Sequence, residues 1–336
     1  MAGQCKIKTK GGKGNGVIYF MKISVVIPVY YNQDNLRPLY RDIRDKLLCH
    51  NEYDWEIVMV NDGSKDDSYT VMKELARNDE RIRIFGLSRN FGSHAAILCG
   101  LSKCTGDCAV VKAADLQEPA EIVLEMVESW NKGNNVVLAV REGRQEGKAQ
   151  TLFANLYYWL VRRVALPDMP KGGFDVFLLD RKVINVLMQL DEKNSALTGQ
   201  ILWSGFKTEK IYYTRLQREI GQSKWTLKKK IRLVADTLFS FSTLPITFVS
   251  VIGTLSCIGA VIWAVVVFIS KLKGLIDVNG WTTLFIFNLF SFGIIMLTLG
   301  ILGGYLWRTF DASRNRPPYI IEEDNDSERG DISGII

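Results

Sequence analysis

The run EIVMVNDGSKDDSYTVMKELAR, residues 56–77, passes from an apolar β-branched stretch through a polar turn into a helical pattern. Glu56–Asn61 reads as a strand, Asp62-Gly63-Ser64 as the turn, and Ser68–Arg77 as a helix. The same unit recurs on either side. Ile23–Pro28, Ile82–Leu87, Cys108–Lys112 and Asn135–Val140 read as strands, with Leu36–Leu48, His94–Ser102 and Pro119–Asn131 as the helices between them. This alternation, from Met21 to about Thr214, predicts an α/β, Rossmann-like domain, a mostly parallel sheet covered on both faces. Ligands on such sheets bind beyond the carboxyl ends of the strands.

At 336 residues the chain holds one sizeable domain of this kind and something smaller. The hydrophobic content of 47% is high for a soluble protein, and the excess is local. Thr237–Ser270 and Val278–Trp307 contain no charged residue. Each exceeds the roughly 20 residues that a helix needs to cross the hydrocarbon of a bilayer. The linker Lys271–Gly280 is short, so residues 237–308 are expected to form a transmembrane hairpin. Lys228, Lys229, Lys230 and Arg232 precede it, and Arg308, Arg314 and Arg316 close it. The positive-inside rule then places the α/β domain and a tail of residues 309–336 in the cytosol. Trp225–Asp236 carries Leu227, Ile231 and Val234 on one helical face with its lysines largely elsewhere. Residues 223–236 are therefore expected to be an interfacial amphipathic helix, with an ordinary domain helix as the alternative. Gly300 and Gly304 have the spacing of a close helix–helix contact, which points to hairpin packing or a homo-oligomer.

Other classes find little support. The net charge of +6 is modest and forms no concentrated stripe, so a nucleic-acid partner is not expected. The six cysteines make no CxxC pair, and with His50 and His94 the only histidines, reduced structural thiols are expected rather than a zinc cage. Residues 1–20 are basic and glycine-rich, lack the apolar core of a signal peptide, and read as a disordered extension.

The predicted strand ends carry the polar chemistry. The first ends in Pro28-Val29-Tyr30-Tyr31-Asn32 and the second in Asn61-Asp62-Gly63-Ser64. Asp62 can accept hydrogen bonds from a ligand, or the segment is a plain turn that caps the next helix. After Cys108–Lys112 comes Ala113-Ala114-Asp115-Leu116-Gln117-Glu118-Pro119, which puts a second acid at a strand tip. Two such acids can face one ligand. A carboxylate-held Mg²⁺ or Mn²⁺ would neutralise the leaving charge of a nucleoside diphosphate.

These stretches, with Ser88-Arg89-Asn90-Phe91-Gly92, Gly173–Arg181 and Arg218-Glu219-Ile220-Gly221-Gln222-Ser223-Lys224, occur in an order that resembles the family-2 glycosyltransferases of the GT-A fold. The resemblance is to their polyprenyl-phosphate branch, which includes dolichyl-phosphate mannose synthase and bacterial undecaprenyl-phosphate sugar transferases, and it runs from Met21 to about Pro318. It implies a GT-A catalytic domain over residues 21–222, with Pro28, Tyr30 and Asp62 bordering the nucleobase and ribose. It makes Asp115 the second acid of a D-x-D metal motif, also counted with the nucleotide site, and Gln117 a further metal contact. The first acid is replaced by Ala113, and one carboxylate should hold a divalent ion less firmly than two. Lys112 can compensate for the lost charge unless strand alternation turns it away. The candidate base falls on Asp175, the alternative being a structural acid, while Asp180 caps a helix starting near Arg181. Arg141 and Arg144 fall where the family carries a mobile loop over the acceptor phosphate. Arg218, Ser223 and Lys224 match its R-x-x-G-x-S-K stretch, where arginine clamps phosphate and lysine adds a point charge. A solvated surface is the plain alternative for all these charges.

The implied activity is inverting transfer of a sugar, UDP-glucose being the favoured donor, to undecaprenyl or dolichyl phosphate at the cytosolic face of a bacterial inner membrane. A processive polysaccharide synthase would carry a Q-x-x-R-W motif, which does not occur here. Transfer to a lipid hydroxyl would require true base catalysis. An inactive scaffold that keeps the fold is the non-enzymatic rival, with Ala113 as its best support.

Overall fold

The structure is a computed structural model that describes residues 20–142, 158–159, 161–163, 165–171, 173–190, 196–214, 242, 244–273 and 280–325. Its first half is the alternation read above. In chain order come β1 (Met21–Val29), α1 (Gln33–Lys46), β2 (Tyr53–Asn61), α2 (Ser68–Asn78), β3 (Ile82–Leu87), α3 (Ser93–Lys103), β4 (Cys108–Val111), α4 (Ile122–Asn131) and β5 (Val136–Arg141). β1 lies between β2 and β4 and pairs parallel with both, and β2 pairs parallel with β3. These strands are near-continuous apolar runs because helices cover both faces of the sheet.

The pleat divides the core in two. Ile23, Val25 and Ile27 of β1 point to one layer with Leu36, Leu39 and Ile43 of α1, Met72 of α2, and Val123 and Met126 of α4. Val26 points to the other, with Ala96 and Cys99 of α3. The second layer is completed by α5 (Arg181–Leu187) and α6 (Leu197–Trp203), through Val183, Leu187 and Ile201.

Three further strands complete the sheet, and two of them are antiparallel. β6 (Phe174–Asp180) inserts between β4 and β5 and runs antiparallel to both, β7 (Thr208–Tyr213) adds parallel to β5, and β8 (Ile321–Asp324) lies antiparallel on β3. The sheet order is β7-β5-β6-β4-β1-β2-β3-β8. The antiparallel placement of β6 sends its first residues to the end of the sheet where β1, β2 and β4 finish.

The apolar stretches form α7 (Leu244–Leu272) and α8 (Trp281–Ser313). Both are long and apolar enough to cross a membrane, and their most apolar windows, Pro245–Trp263 and Phe290–Ser313, are only 6% and 0% buried. A core helix of a soluble protein would be mostly covered, so these faces suit lipid. Two expected boundaries shift. The second apolar helix continues past 308 to Ser313, and residues 321–324, expected in a tail, are a strand of the same sheet. Because β7 and β8 belong to one sheet, the chain between them crosses any bilayer an even number of times. The expected interfacial helix over residues 223–236 lies outside the described residues.

Candidate active site

Three strand tips are tied together by short polar contacts. At the end of β1 the Tyr31 N–H donates to Ser64 Oγ at 3.0 Å, and the Asn32 N–H donates to Ser68 Oγ at 3.0 Å. Tyr31 adopts a left-handed backbone, φ 54°, and its ring meets that of Tyr30 edge-on at 4.7 Å. Pro28 and Tyr30 are half-buried beside this turn. Burial pushes the Tyr30 phenol above its ordinary pKa, helped by Tyr31 and the nearby Asp62 carboxylate.

Asp62 follows β2 and is 2% exposed. Its carboxylate accepts the Phe91 N–H at 2.7 Å, the Gly92 N–H at 3.0 Å and the Asn90 side-chain amide at 3.0 Å. The acid expected to border the nucleotide is thus the floor that holds the Ser88–Gly92 loop. Gly63 makes the approach possible. A Cβ there would lie 2.4 Å from the Arg89 carbonyl carbon, and its φ of 65° disfavours any side chain.

The β4 tip carries the second acid. Asp115 is half-buried, and its Oδ1 accepts the Gln117 N–H at 3.3 Å across a turn in which Leu116 has a φ of 59°. Lys112 is wholly buried and its ammonium donates to the Glu118 carbonyl, so it pins the loop from below. Burial lowers the Lys112 pKa, opposed by the nearby Glu118, Asp42 and Asp115 carboxylates. Lys112 follows the pleat of Val110 toward the α1 and α4 layer and does not occupy the place of the missing acid.

Among the described residues, no group of three His, Cys, Asp or Glu side chains could cage a metal ion. One carboxylate and one amide oxygen, half-exposed at a strand tip, nonetheless fit Mg²⁺ or Mn²⁺. Such ions bind through one or two carboxylates and take their remaining ligands from water and substrate phosphate.

Asp175 lies at the start of β6, on the same end of the sheet. Its carboxylate forms an ion pair with the Arg141 guanidinium at the end of β5, and the two side chains are 57% and 20% exposed. Sequence reasoning gave these residues separate roles; pairing of β5 with β6 brings them together. Gly173 just before β6 has a φ of 69°, and a Cβ there would strike the Tyr158 ring. Asp180 at the far end of β6 is structural: it caps α5 through the Lys182 N–H at 2.9 Å and accepts the Trp130 indole N–H at 2.8 Å. Arg144, Arg218, Ser223 and Lys224 lie outside the described residues. Cys49, Cys99, Cys104, Cys108 and Cys257 are free thiols, and burial pushes Cys99 up to about 12 and Cys108 well above its ordinary value.

Residues 24–224 match the family described as Glycosyl transferase family 2. An uncharacterized glycosyltransferase of Bacillus subtilis, YkcC, is 35% identical over 307 residues, 90% of this chain and 94% of that protein. A prophage bactoprenol glucosyl transferase homolog of Escherichia coli K12 is 32% identical over 90% of this chain and 99% of its own. Among solved structures, glucosyl-3-phosphoglycerate synthase of Mycobacterium tuberculosis superposes with a TM-score of 0.47 at 13% identity, covering 65% of this chain and 76% of that one.

Proposed function

The chain belongs to glycosyl transferase family 2 and is a glycosyltransferase, and we propose that it transfers glucose from UDP-glucose to a polyprenyl phosphate, with inversion, at the cytosolic face of a bacterial inner membrane. The observation that carries this reading is the extent of the likeness to proteins named bactoprenol glucosyl transferase, which takes in the apolar helix pair as well as the catalytic domain. A donor at the strand tips and a lipid acceptor in the bilayer are well served by both parts in one chain. The basic residues Lys228, Lys229, Lys230, Arg308, Arg314 and Arg316 support the cytosolic side.

In this reading Pro28 and Tyr30 border the nucleobase and ribose, while Asp62 acts at one remove by fixing the Ser88–Gly92 loop. Asp115 and Gln117 would hold Mg²⁺ or Mn²⁺, which supplies countercharge to the departing diphosphate. An acceptor phosphate oxygen forms a bond to the anomeric carbon as the bond to the UDP oxygen breaks on the opposite face, and UDP leaves with that electron pair. The acceptor needs little deprotonation, since a phosphoester has its second pKa near about 6. An arginine partner therefore suits Asp175, whose task is to orient the acceptor or to stabilise positive charge on the sugar ring. Arg141, Arg144, Arg218, Ser223 and Lys224 would gather the acceptor phosphate by charge-assisted hydrogen bonds.

The direct test is purified protein in proteoliposomes with labelled UDP-glucose and undecaprenyl phosphate. Label should move to a phosphate-linked lipid with release of UDP. Transfer only to a lipid hydroxyl, or only from a different nucleotide sugar, would overturn the acceptor or donor assignment respectively.

A further inference from the structure

After α8 ends at Ser313 the chain does not trail away. Residues 314–320 lead directly into β8, which pairs antiparallel with β3 through Leu87↔Ile321, Gly86↔Glu323 and Phe85↔Asp324. The junction is built from both sides. The Ser88 N–H donates to the Ile320 carbonyl at 3.0 Å, and the Ile84 N–H donates to the Asn325 side-chain oxygen at 2.9 Å. Tyr319 and Ile321 pack against the second core layer, and the Tyr319 hydroxyl meets that of Ser102 on α3 at 2.8 Å. Glu323 pairs with Lys73 at 3.1 Å.

The strand chosen as partner matters. β3 runs straight into Ser88–Gly92, the loop whose backbone N–H groups bind Asp62 and whose Arg89 backbone abuts Gly63. One hydrogen-bonded step thus separates the end of the second apolar helix from the floor of the donor site.

The connection is also short. Residues 314–320 can span at most about 25 Å even when extended, and Pro317-Pro318 removes much of their freedom. The other connection, from Thr214 to Leu244, is far longer in sequence. The carboxyl end of α8 therefore sets an upper limit on the height that the strand tips keep over the bilayer.

We infer that Arg314–Asn325 is a positioning strap, which holds the donor loop Ser88–Gly92 at a set distance from the membrane face where the acceptor phosphate lies. The inference rests on the polyprenyl-phosphate reading above. The strap touches neither reacting group; it acts through β3 and the loop that β3 feeds.

Inserting a flexible Gly-Ser stretch between Ser313 and Arg314 of the full chain lengthens the strap while leaving β8 paired. UDP-glucose binding, thermal stability and transfer to a short-chain prenyl phosphate in detergent should match wild type. Transfer to undecaprenyl phosphate in proteoliposomes should fall on the order of tenfold or more, since small misplacements of reactants are costly. Unchanged activity in proteoliposomes would overturn the strap. A second variant, Ile321→Pro, breaks the β8 ladder itself and should raise the KM for UDP-glucose with kcat little changed. If it lowers thermal stability alone and leaves that KM untouched, β8 is only an edge cover and the coupling to the donor loop is wrong. Failure of the wild type to use any prenyl phosphate would refute the acceptor reading and leaves a distinct signature from failure of the insertion variant alone.

Discussion

The two ends of the parallel strands use the same residue types to opposite ends. At the amino-terminal end, Glu56 is 3% exposed and accepts from Ser24 Oγ at 2.5 Å, the Thr105 N–H at 2.8 Å and Arg83 at 2.7 Å. Burial alone would raise its pKa, yet these donors outweigh it and hold the carboxyl below the ordinary range. Arg181 similarly closes on the Gly106 and Cys104 carbonyls at 2.9 and 3.0 Å. At the carboxyl end, Asp115 and Asp175 remain partly open to solvent. A buried charge whose partners all come from the folded chain is a structural element, and one left at the surface of a crevice is available to a ligand. Asp62 shows that position alone does not decide the matter. It sits at the open end, yet its carboxylate also holds its own loop.

The largest effect that could break this contrast is at Asp115. Asp115→Asn should reduce transfer on the order of 100-fold or more while leaving the melting temperature near wild type, and EDTA should do the same to the wild type. With one carboxylate available, Mn²⁺ should bind weakly to the free protein and tightly only when UDP is present, as calorimetry can measure. Full activity in EDTA would remove the metal from the reaction.

Glu56→Ala should show the reverse pattern, a loss of about 3–5 kcal/mol of stability from breaking a buried ion pair, with the KM of the folded fraction unchanged. Since the folded pKa of Glu56 lies below its unfolded one, its contribution is present above about pH 4.3 and is lost as pH falls through the folded value. In Glu56→Gln, chemical denaturation at falling pH should show a shallower acid decline than in wild type.

Arg218→Ala and Lys224→Ala test the proposed acceptor-phosphate contacts. Each should raise the KM for polyprenyl phosphate about tenfold to a hundredfold, from loss of one charge-assisted contact of about 1.5–3 kcal/mol, and leave donor binding alone. Loss of donor binding in both variants would assign them to the diphosphate instead. The smallest change belongs to the closed end. The Tyr40 hydroxyl bonds Asp79 at 2.9 Å, but Asp79 also holds Arg81 at 2.8 Å. Tyr40→Phe should therefore cost only about 1 kcal/mol in urea unfolding, with activity intact.

The sequence made the β1–α4 alternation readable to within a few residues because each strand is a continuous apolar run and each helix has a regular buried stripe. β6 was visible only as a motif, since nothing in Phe174–Asp180 announces its antiparallel insertion between β4 and β5. β8 reads Ile-Glu-Glu-Asp, a composition that no strand preference would select, and pairs at an edge where backbone hydrogen bonds suffice and charge is tolerated. In the site, the acids were legible one at a time. The Arg141–Asp175 ion pair and the hold of Asp62 on the Ser88–Gly92 loop depend on contacts between distant segments, which spacing along the chain does not encode.

The late position of β8 has a consequence for how the protein is made. Chains emerge from the ribosome amino end first, and domains tend to fold as they appear. Here the strand that covers the β3 edge is translated after both apolar helices. Until β8 is made, β3 presents an open row of backbone donors and acceptors, and the Ser88–Gly92 loop lacks its contact with Ile320. Synthesis therefore orders the events: the apolar helices emerge first, and the sheet is finished last.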